Sequence, residues 1–180
     1  MANPAARGRR LGREEPAGRE NDPPADPVAA AREIVLRQLT TRARSRAELR
    51  QALESRGVPA DVAEEVLDRF EEVRLVDDTG FAQAWAESRQ RSGRSSRVIA
   101  QELRTKGVDA DTVAETIAGL ESDADLQSAR AFAEKRAASM RGLEPAVRYR
   151  RLAGALARRG FPSHVVSQVL REVTQESPED

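Results

Sequence analysis

The chain has 180 residues, of which 39% are hydrophobic, 33% charged and 3% aromatic. It contains no cysteine and a single histidine, which excludes disulfide frameworks, thiolate metal sites and cysteine nucleophiles and argues against a Ser-His-Asp triad. Thirty basic and thirty acidic side chains cancel, so the chain as a whole is not a polycation. No apolar run approaches the length of about 18 residues that a membrane span needs. We therefore expect a cytoplasmic protein that is not an enzyme and uses no cofactor or metal.

The two ends of the chain differ in composition from its middle. Residues 1–27 hold five of the nine prolines and have Leu11 as almost their only large apolar side chain. Such a segment cannot bury enough surface to offset the entropy of ordering its backbone, so we predict a disordered tail. Acidic residues balance the arginines of this tail, which favours a solvated segment over one that contacts nucleic acid. Residues 176–180 are predicted to form a short acidic tail.

Between these tails the apolar pattern is helical throughout. Ile34, Val35 and Leu39 form one apolar stripe, and Val62, Val66 and Phe70 belong to another with the spacing of a half-buried helix. No segment alternates apolar and polar residues as a strand does. The pattern predicts an all-α fold.

Three segments of the chain repeat one another when Gly57, Gly107 and Gly160 are aligned. They read ELRQALESRGVPADVAEEVLDRF, VIAQELRTKGVDADTVAETIAGL and RLAGALARRGFPSHVVSQVLREV. Apolar residues recur at matching offsets before and after each glycine, and a cation precedes each one. This is the pattern of a helix that ends in a left-handed glycine, after which Pro59, Asp109 or Pro162 starts the next helix.

A further helix precedes each of these pairs, over residues 28–40, 81–91 and 124–138. Asp78 or Thr79 is expected to cap the second of these helices and Asp123 the third. The sequence thus predicts three tandem three-helix repeats at 28–77, 78–122 and 123–175. A single unit of this size would have a marginal core, so we expect stacked neighbours to form an elongated, curved array.

Positive charge is concentrated around the middle helices of all three repeats, and in the first repeat it comes from Arg42, Arg44, Arg46, Arg50 and Arg56. The candidate partner-binding residues are Arg89, Arg91, Arg94, Arg97, Arg104, Lys106, Arg148, Arg150, Arg151 and Arg158. Solvated helix faces would account for part of this pattern. The cluster from Arg89 to Arg97 surrounds a predicted loop over residues 92–96, where arginine forks suit phosphate or carboxylate contacts. We favour docking to a partner of complementary charge.

A helix, a glycine turn and another helix also suggest a helix-turn-helix module that reads DNA. In that motif the later helix enters the major groove. The helices after Gly57 and Gly107 would bring carboxylates towards the phosphates, and only the helix after Gly160 is suited to that role. The alternative of a stand-alone DNA-binding or transcriptional module is therefore disfavoured but kept.

For three other features of the sequence, a structural role is a simpler explanation than a role in catalysis or binding. His164 is expected to be a surface or hydrogen-bonded histidine and not a catalytic one. Asp77 and Asp78 are expected to end one helix and cap the next, because adjacent side chains point in different directions. Trp85 lies one helical turn from Phe81 and is expected to pack in a core and not to stack on a base.

The segment from Leu75 to Asp109, LVDDTGFAQAWAESRQRSGRSSRVIAQELRTKGVD, resembles the central signature of bacterial RecX regulatory proteins. The resemblance rests on an Asp-Asp pair, a Phe-Ala pair, a tryptophan and a basic loop before a Glu-Leu…Lys-Gly helix end. The flanking segments RAELRQALESRGVP and YRRLAGALARRGFP are similar to the other repeats of that family. The resemblance covers residues 28–173.

This resemblance implies a non-enzymatic modulator of the RecA recombinase. Proteins of the family bind the RecA–single-stranded DNA filament and usually limit its growth, its ATP hydrolysis, strand exchange and its coprotease activity in the SOS response. The expected partners are therefore the RecA filament and, weakly or through the filament, single-stranded DNA, with no membrane. Nothing in the sequence demands a dimer, and we expect a monomer.

Overall fold

A computed structural model of the chain describes residues 26–120 and 123–175. Within these ranges there are nine helices and no strand. The helices are α1 (Pro27–Thr41), α2 (Arg46–Glu54), α3 (Ala60–Glu72), α4 (Asp78–Arg91), α5 (Ser96–Thr105), α6 (Ala110–Ala118), α7 (Ala124–Ala138), α8 (Pro145–Arg158) and α9 (Ser163–Gln175). The predictions made for residues 1–25 and 176–180 lie outside the described residues. None of the described helices is long and apolar enough to cross a bilayer.

The helices form three units, each with its own core: unit 1 (α1–α3), unit 2 (α4–α6) and unit 3 (α7–α9). The apolar residues that repeat before each glycine are fully buried in their own unit, as Leu49, Leu53, Ile99, Leu103, Leu152 and Leu156. Helix packing is concentrated inside the units, and α4 packs against α7 across the second boundary. The predicted all-α fold of three tandem three-helix repeats is confirmed.

A left-handed glycine ends the middle helix of every unit. The φ angles of Gly57, Gly107 and Gly160 are 75°, 76° and 86°. The N–H of Val58 donates to the carbonyl of Leu53, and that of Val108 to Leu103, each at 3.2 Å. These bonds satisfy carbonyl groups that the helix end would otherwise leave open. The turn predicted from the repeat is present at all three positions.

The helix caps differ in part from those expected. Asp77, and not Asp78 or Thr79, caps α4, because its Oδ1 accepts the N–H of Gly80 at 2.9 Å. Asp123 stands at the start of α7 but forms no side-chain bond to the backbone there. The sequence pattern alone cannot tell which of two adjacent aspartates caps a helix. Asp78 instead forms a contact with unit 1.

Asp78 belongs to the boundary between units 1 and 2. Its Oδ1 accepts the N–H of Arg46 at 2.8 Å, and the Oγ of Ser45 donates to the carbonyl of Lys106 at 2.6 Å. The start of α2 therefore docks on the glycine turn of the next unit. We call this set of contacts joint 1–2.

The boundary between units 2 and 3, joint 2–3, is built from the equivalent residues. The N–H of Ser95 donates to the carbonyl of Arg159 at 3.2 Å, and the N–H of Ser96 to Asp125 Oδ1 at 2.7 Å. Gly160 lies so close to Val98 that a Cβ at this position would collide with it. The repeat in the sequence is thus also a repeat in how successive units are attached.

Candidate functional site

Part of the basic cluster in unit 2 lines a groove between α4 and α5. The cavity has a volume of about 720 Å³. The residues that line it are Trp85, Arg89, Arg97, Val98, Gln101, Glu102, Arg104, Thr105 and Lys106. Four of the six cations proposed from the sequence in this unit therefore meet at one surface, the unit 2 groove.

A second groove lies between α7 and α8, with a volume of about 600 Å³. It is lined by Arg136, Met140, Val147, Arg150, Arg151, Gly154, Ala155 and Arg158. Three of its arginines were proposed from the sequence, whereas Arg136 was missed. We call this surface the unit 3 groove.

The two grooves occupy the same position in successive repeats. Arg136 follows Arg89 by 47 residues, and the buried Ala129 follows the buried Ala82 by the same number of residues. Arg150 follows Arg97 by 53 residues, the distance between Gly107 and Gly160. Aligning the repeats would have identified Arg136, because the alignment places it opposite Arg89. The fold therefore presents a cationic groove twice in register.

The unit 2 groove has a structured floor around Trp85, the one tryptophan of the chain. Its ring stacks on Phe81 with centroids 5.9 Å apart, and Arg89 lies 4.2 Å from its centroid. Glu102 Oε2 accepts the indole N–H at 2.9 Å and Arg89 Nε at 2.7 Å. Trp85 is therefore half-buried and packed against its own unit, as the sequence suggested.

Lys106 joins this groove to unit 1. Its Nζ lies 4.2 Å from the Trp85 centroid and 2.9 Å from Glu48 Oε1. Burial disfavours the charged form of Glu48, but hydrogen bonds from Arg42 and Lys106 outweigh it and lower its pKa to about 2. Lys106 is thus already partnered across joint 1–2.

Two cations of the unit 2 groove are available to a ligand. Arg97 and Arg104 are exposed and form no ion pair within the described part of the chain. Exposed guanidinium groups without an ion-pair partner are suited to a forked contact with a carboxylate or phosphate. They are the residues of this groove on which binding would depend.

All four arginines of the unit 3 groove, Arg136, Arg150, Arg151 and Arg158, are exposed. None of them forms an ion pair with a described residue, and no carboxylate lines the groove. Val147 and Met140 supply an apolar floor. This groove carries denser unneutralised charge than the unit 2 groove.

Three of the proposed residues lie outside both grooves. Arg91 is exposed and lies 3.6 Å from Glu87, while Arg148 lies on α8 outside the groove lining. Arg94 lies between α4 and α5. Burial lowers the pKa of Arg159, and the charge of Arg94 lowers it further. These three residues are not brought into one site with the others.

The segment predicted as a loop over residues 92–96 is shorter and more firmly packed than expected. Ser95 is the N-cap of α5 and Ser96 is its first residue, so residues 92–95 connect the helices. Gly93 and Ser95 are buried at joint 2–3, where Arg159 Nη1 donates to the carbonyl of Gly93 at 3.1 Å. The segment therefore acts as a structural contact between units.

The arginines of unit 1 are used differently. Arg46 contacts Glu64, Asp68 and Glu71 of α3 at 2.6 to 2.7 Å. Hydrogen bonds from Arg50 and Arg46 lower the pKa of Glu64 to about 2. The positions equivalent to Arg97 and Arg104 are Ala47 and Glu54. Unit 1 thus has no counterpart of the two cationic grooves.

His164 is exposed at the start of α9. No group of three or more potential metal ligands occurs among the described residues. The arrangement offers fixed cations and apolar floors, which are features of a binding surface.

Comparison with protein families gives three matches, one for each unit. The models described as the first, second and third three-helix domains of RecX match residues 31–70, 77–117 and 123–170. The matches follow the order of the units along the chain.

Relatives named "Regulatory protein RecX" are similar over most of the chain. The protein from Streptomyces coelicolor is 44% identical over 162 residues, covering 89% of this chain and 86% of the relative. The protein from Thermobifida fusca is 45% identical over 161 residues, with coverages of 86% and 87%. The protein from Mycobacterium avium is 42% identical over 142 residues, with coverages of 78% and 82%.

Solved structures show a similar fold. The crystal structure of RecX from Lactobacillus salivarius has a TM-score of 0.70 at 18% identity and covers 84% of this chain and 99% of its own. A second crystal structure, titled regulatory protein RecX, has a TM-score of 0.66 at 21% identity, with coverages of 81% and 72%. At these identities the likeness concerns the fold.

Proposed function

Because this chain belongs to the RecX family, we propose that it is a non-enzymatic regulator that binds the RecA–single-stranded DNA filament and inhibits its growth, ATPase and coprotease activities. The relatives are named regulatory proteins. In this proposal the chain acts in the cytoplasm, in DNA repair and the SOS response, as a monomer.

One observation supports the proposal beyond family membership: the two cationic grooves recur in register on consecutive units. A filament presents the same subunit surface, and a continuous phosphate backbone, again and again along its axis. A protein whose binding elements also repeat can engage several of these positions at once. Once the first groove is bound, the second binds at a high effective concentration, so weak individual contacts give tight attachment.

The charge of the grooves would mainly orient the chain on the filament and raise the rate at which the two associate. Arg97, Arg104, Arg151 and Arg158 are exposed, so each contact with an acidic group is screened by salt and modest in energy. Attachment across neighbouring subunits would hinder the rearrangements that ATP hydrolysis and filament growth require. Inhibition then follows from binding, without a catalytic residue.

The test is the DNA-dependent ATPase of RecA. Replacing Arg97, Arg104, Arg151 and Arg158 together by alanine removes exposed cations from both grooves and no ion pair with a described residue. A matched control replaces four exposed arginines outside the grooves that also form no ion pair with a described residue, Arg32, Arg56, Arg74 and Arg141. We expect the groove variant to need at least about tenfold more protein for half-inhibition, because four cationic side chains no longer reach acidic groups of the filament. Equal potency of the groove variant and the natural chain, with both folded, would refute the proposal.

The helix-turn-helix alternative predicts tight, sequence-dependent duplex binding that does not need RecA. In the structure α3 carries Asp61, Glu64 and Asp68, carboxylates that phosphates would repel. Duplex binding of nanomolar strength by the chain alone would favour the alternative over filament regulation.

A further inference from the structure

The two grooves are equivalent in position but not in charge. Glu102 stands in the unit 2 groove, and the residue 53 positions later in the unit 3 groove is Ala155. Glu102 neutralises Arg89 at 2.7 Å. Unit 3 has Ala155 at the position equivalent to Glu102, so the cation equivalent to Arg89, Arg136, has no such partner among the described residues. A single position therefore decides whether the groove contains a carboxylate.

A second cation of the unit 2 groove is also neutralised within the chain. Lys106 pairs with Glu48 at 2.9 Å, and the side chains of both are less than one fifth exposed, at 17% and 18%. Two of the four cations of this groove thus already have carboxylate partners. A phosphate that entered would be repelled by Glu102 and would compete with Glu48.

Trp85 does not convert the unit 2 groove into a base-stacking surface. Phe81 stacks on the indole, and both Arg89 and Lys106 lie 4.2 Å from its centroid. With the ring faces covered by the chain itself, a nucleobase has no open aromatic surface there. The groove therefore offers a nucleic acid two unpaired arginines, Arg97 and Arg104, but no open aromatic surface, and it also contains the carboxylate of Glu102.

The unit 3 groove has the opposite character. Its four arginines face one cavity of about 600 Å³ with no carboxylate in the lining. No described carboxylate neutralises these cations, so a polyanion that enters the groove can pair with all four. Gly154 leaves space beside Arg158: a Cβ at this position would lie 3.2 Å from Arg158 Nη1. A glycine within a helix costs about 1 kcal/mol relative to alanine, and here it leaves an arginine room at the groove.

We propose that the unit 3 groove binds the phosphodiester backbone of single-stranded DNA, and that Ala155 and Glu102 set the different ligand preferences of the two grooves. The inference rests on the proposed function, because it assigns DNA contact to one of the two surfaces presented to the filament. The unit 2 groove is then left to partners that tolerate a carboxylate.

An exchange of the two residues tests the assignment without RecA. Fluorescence anisotropy of a labelled thymidine oligonucleotide would measure binding to the full chain and to the variants Ala155→Glu and Glu102→Ala over a range of salt concentrations. We expect Ala155→Glu to weaken binding about tenfold and to lower the salt slope by about 0.7 for each phosphate that the groove no longer neutralises. Glu102→Ala should bind the oligonucleotide as tightly as the natural chain or more tightly.

A charge-matched pair of variants covers the case in which Ala155→Glu does not fold. Replacing Arg151 and Arg158 by alanine should weaken oligonucleotide binding at least about fivefold more than replacing Arg97 and Arg104. Equal weakening in the two double variants, or natural affinity in folded Ala155→Glu, would overturn the assignment. Inorganic tripolyphosphate should compete only at far higher phosphate concentration, and equal competition would assign the groove to free polyphosphates instead.

Failure of the phosphate assignment and failure of the proposed function can be told apart. If the oligonucleotide data agree and RecA ATPase is not inhibited, filament regulation fails while the phosphate site stands. If inhibition depends on both grooves but the two double variants bind the oligonucleotide equally, the phosphate assignment fails alone.

Discussion

Lys106 and Glu48 belong to different units, and their side chains form an ion pair with Nζ and Oε1 2.9 Å apart. Lys106 also lies over Trp85 in the unit 2 groove. Glu48 in turn accepts hydrogen bonds from Arg42 and completes the capping box of α2 with Ser45. The ion pair between Lys106 and Glu48 therefore fixes a side chain of the unit 2 groove and also contributes to joint 1–2.

Replacing Glu48 by glutamine should destabilise the protein by about 2 kcal/mol, because Lys106 is left partly buried without its charge partner. Urea denaturation followed by the fluorescence of Trp85 measures this directly, since the indole lies beside Lys106. Glu33→Gln is the control: Glu33 also pairs with an arginine, Arg37, but both side chains are more than 70% exposed. That change should cost at most about 0.5 kcal/mol. Equal costs would show that the pair does not hold joint 1–2.

The carboxylate of Glu48 should also make the stability of the protein depend on pH. The pKa of Glu48 is about 2 in the folded chain against an ordinary value of 4.5, so the unfolded chain binds its proton more readily. The stability that Glu48 contributes is therefore complete above pH 4.5 and is lost as the pH falls towards 2. The difference in unfolding free energy between the natural chain and Glu48→Gln should shrink over this range. A difference that stays constant with pH would contradict the role of the charge.

The three turn glycines form a matched series for the joints. A Cβ on Gly57 would meet no atom within 4 Å, whereas one on Gly107 would collide with Ala47 and one on Gly160 with Val98. All three share a left-handed backbone, so alanine should cost about 1 to 2 kcal/mol at Gly57 from backbone strain alone. Gly107→Ala and Gly160→Ala should cost at least about 1 kcal/mol more. Equal destabilisation in urea denaturation would mean that the joints are not tightly packed.

Much of the fold could be predicted from the sequence because its determinants are local. Helical periodicity placed the buried Leu49 and Leu53, and a glycine after a cation indicated each left-handed turn. The cap of α4 was assigned wrongly because Asp77 and Asp78 are adjacent and equally suited to it. Only the packing of Arg46, 32 residues away in the chain, draws Asp78 into joint 1–2.

The charge of the candidate site was harder to predict because it depends on ion pairs between residues that are far apart in the sequence. Arg89 and Arg97 look alike in sequence, yet only Arg89 has Glu102 within contact distance. Glu48 neutralises Lys106 from 58 residues away, which no spacing rule indicates. Charge clusters could be located from sequence, whereas their neutralisation required the tertiary contacts.

The proposed attachment of this chain to a RecA filament through two cationic grooves in register can be measured directly. The measurement is the binding of labelled protein to filaments assembled on single-stranded DNA with a slowly hydrolysed ATP analogue. Variants in one groove, Arg97 with Arg104 or Arg151 with Arg158, should each weaken binding, and the four-arginine variant should weaken it by more than about tenfold. Filament binding by the four-arginine variant with the affinity of the natural chain would contradict the account.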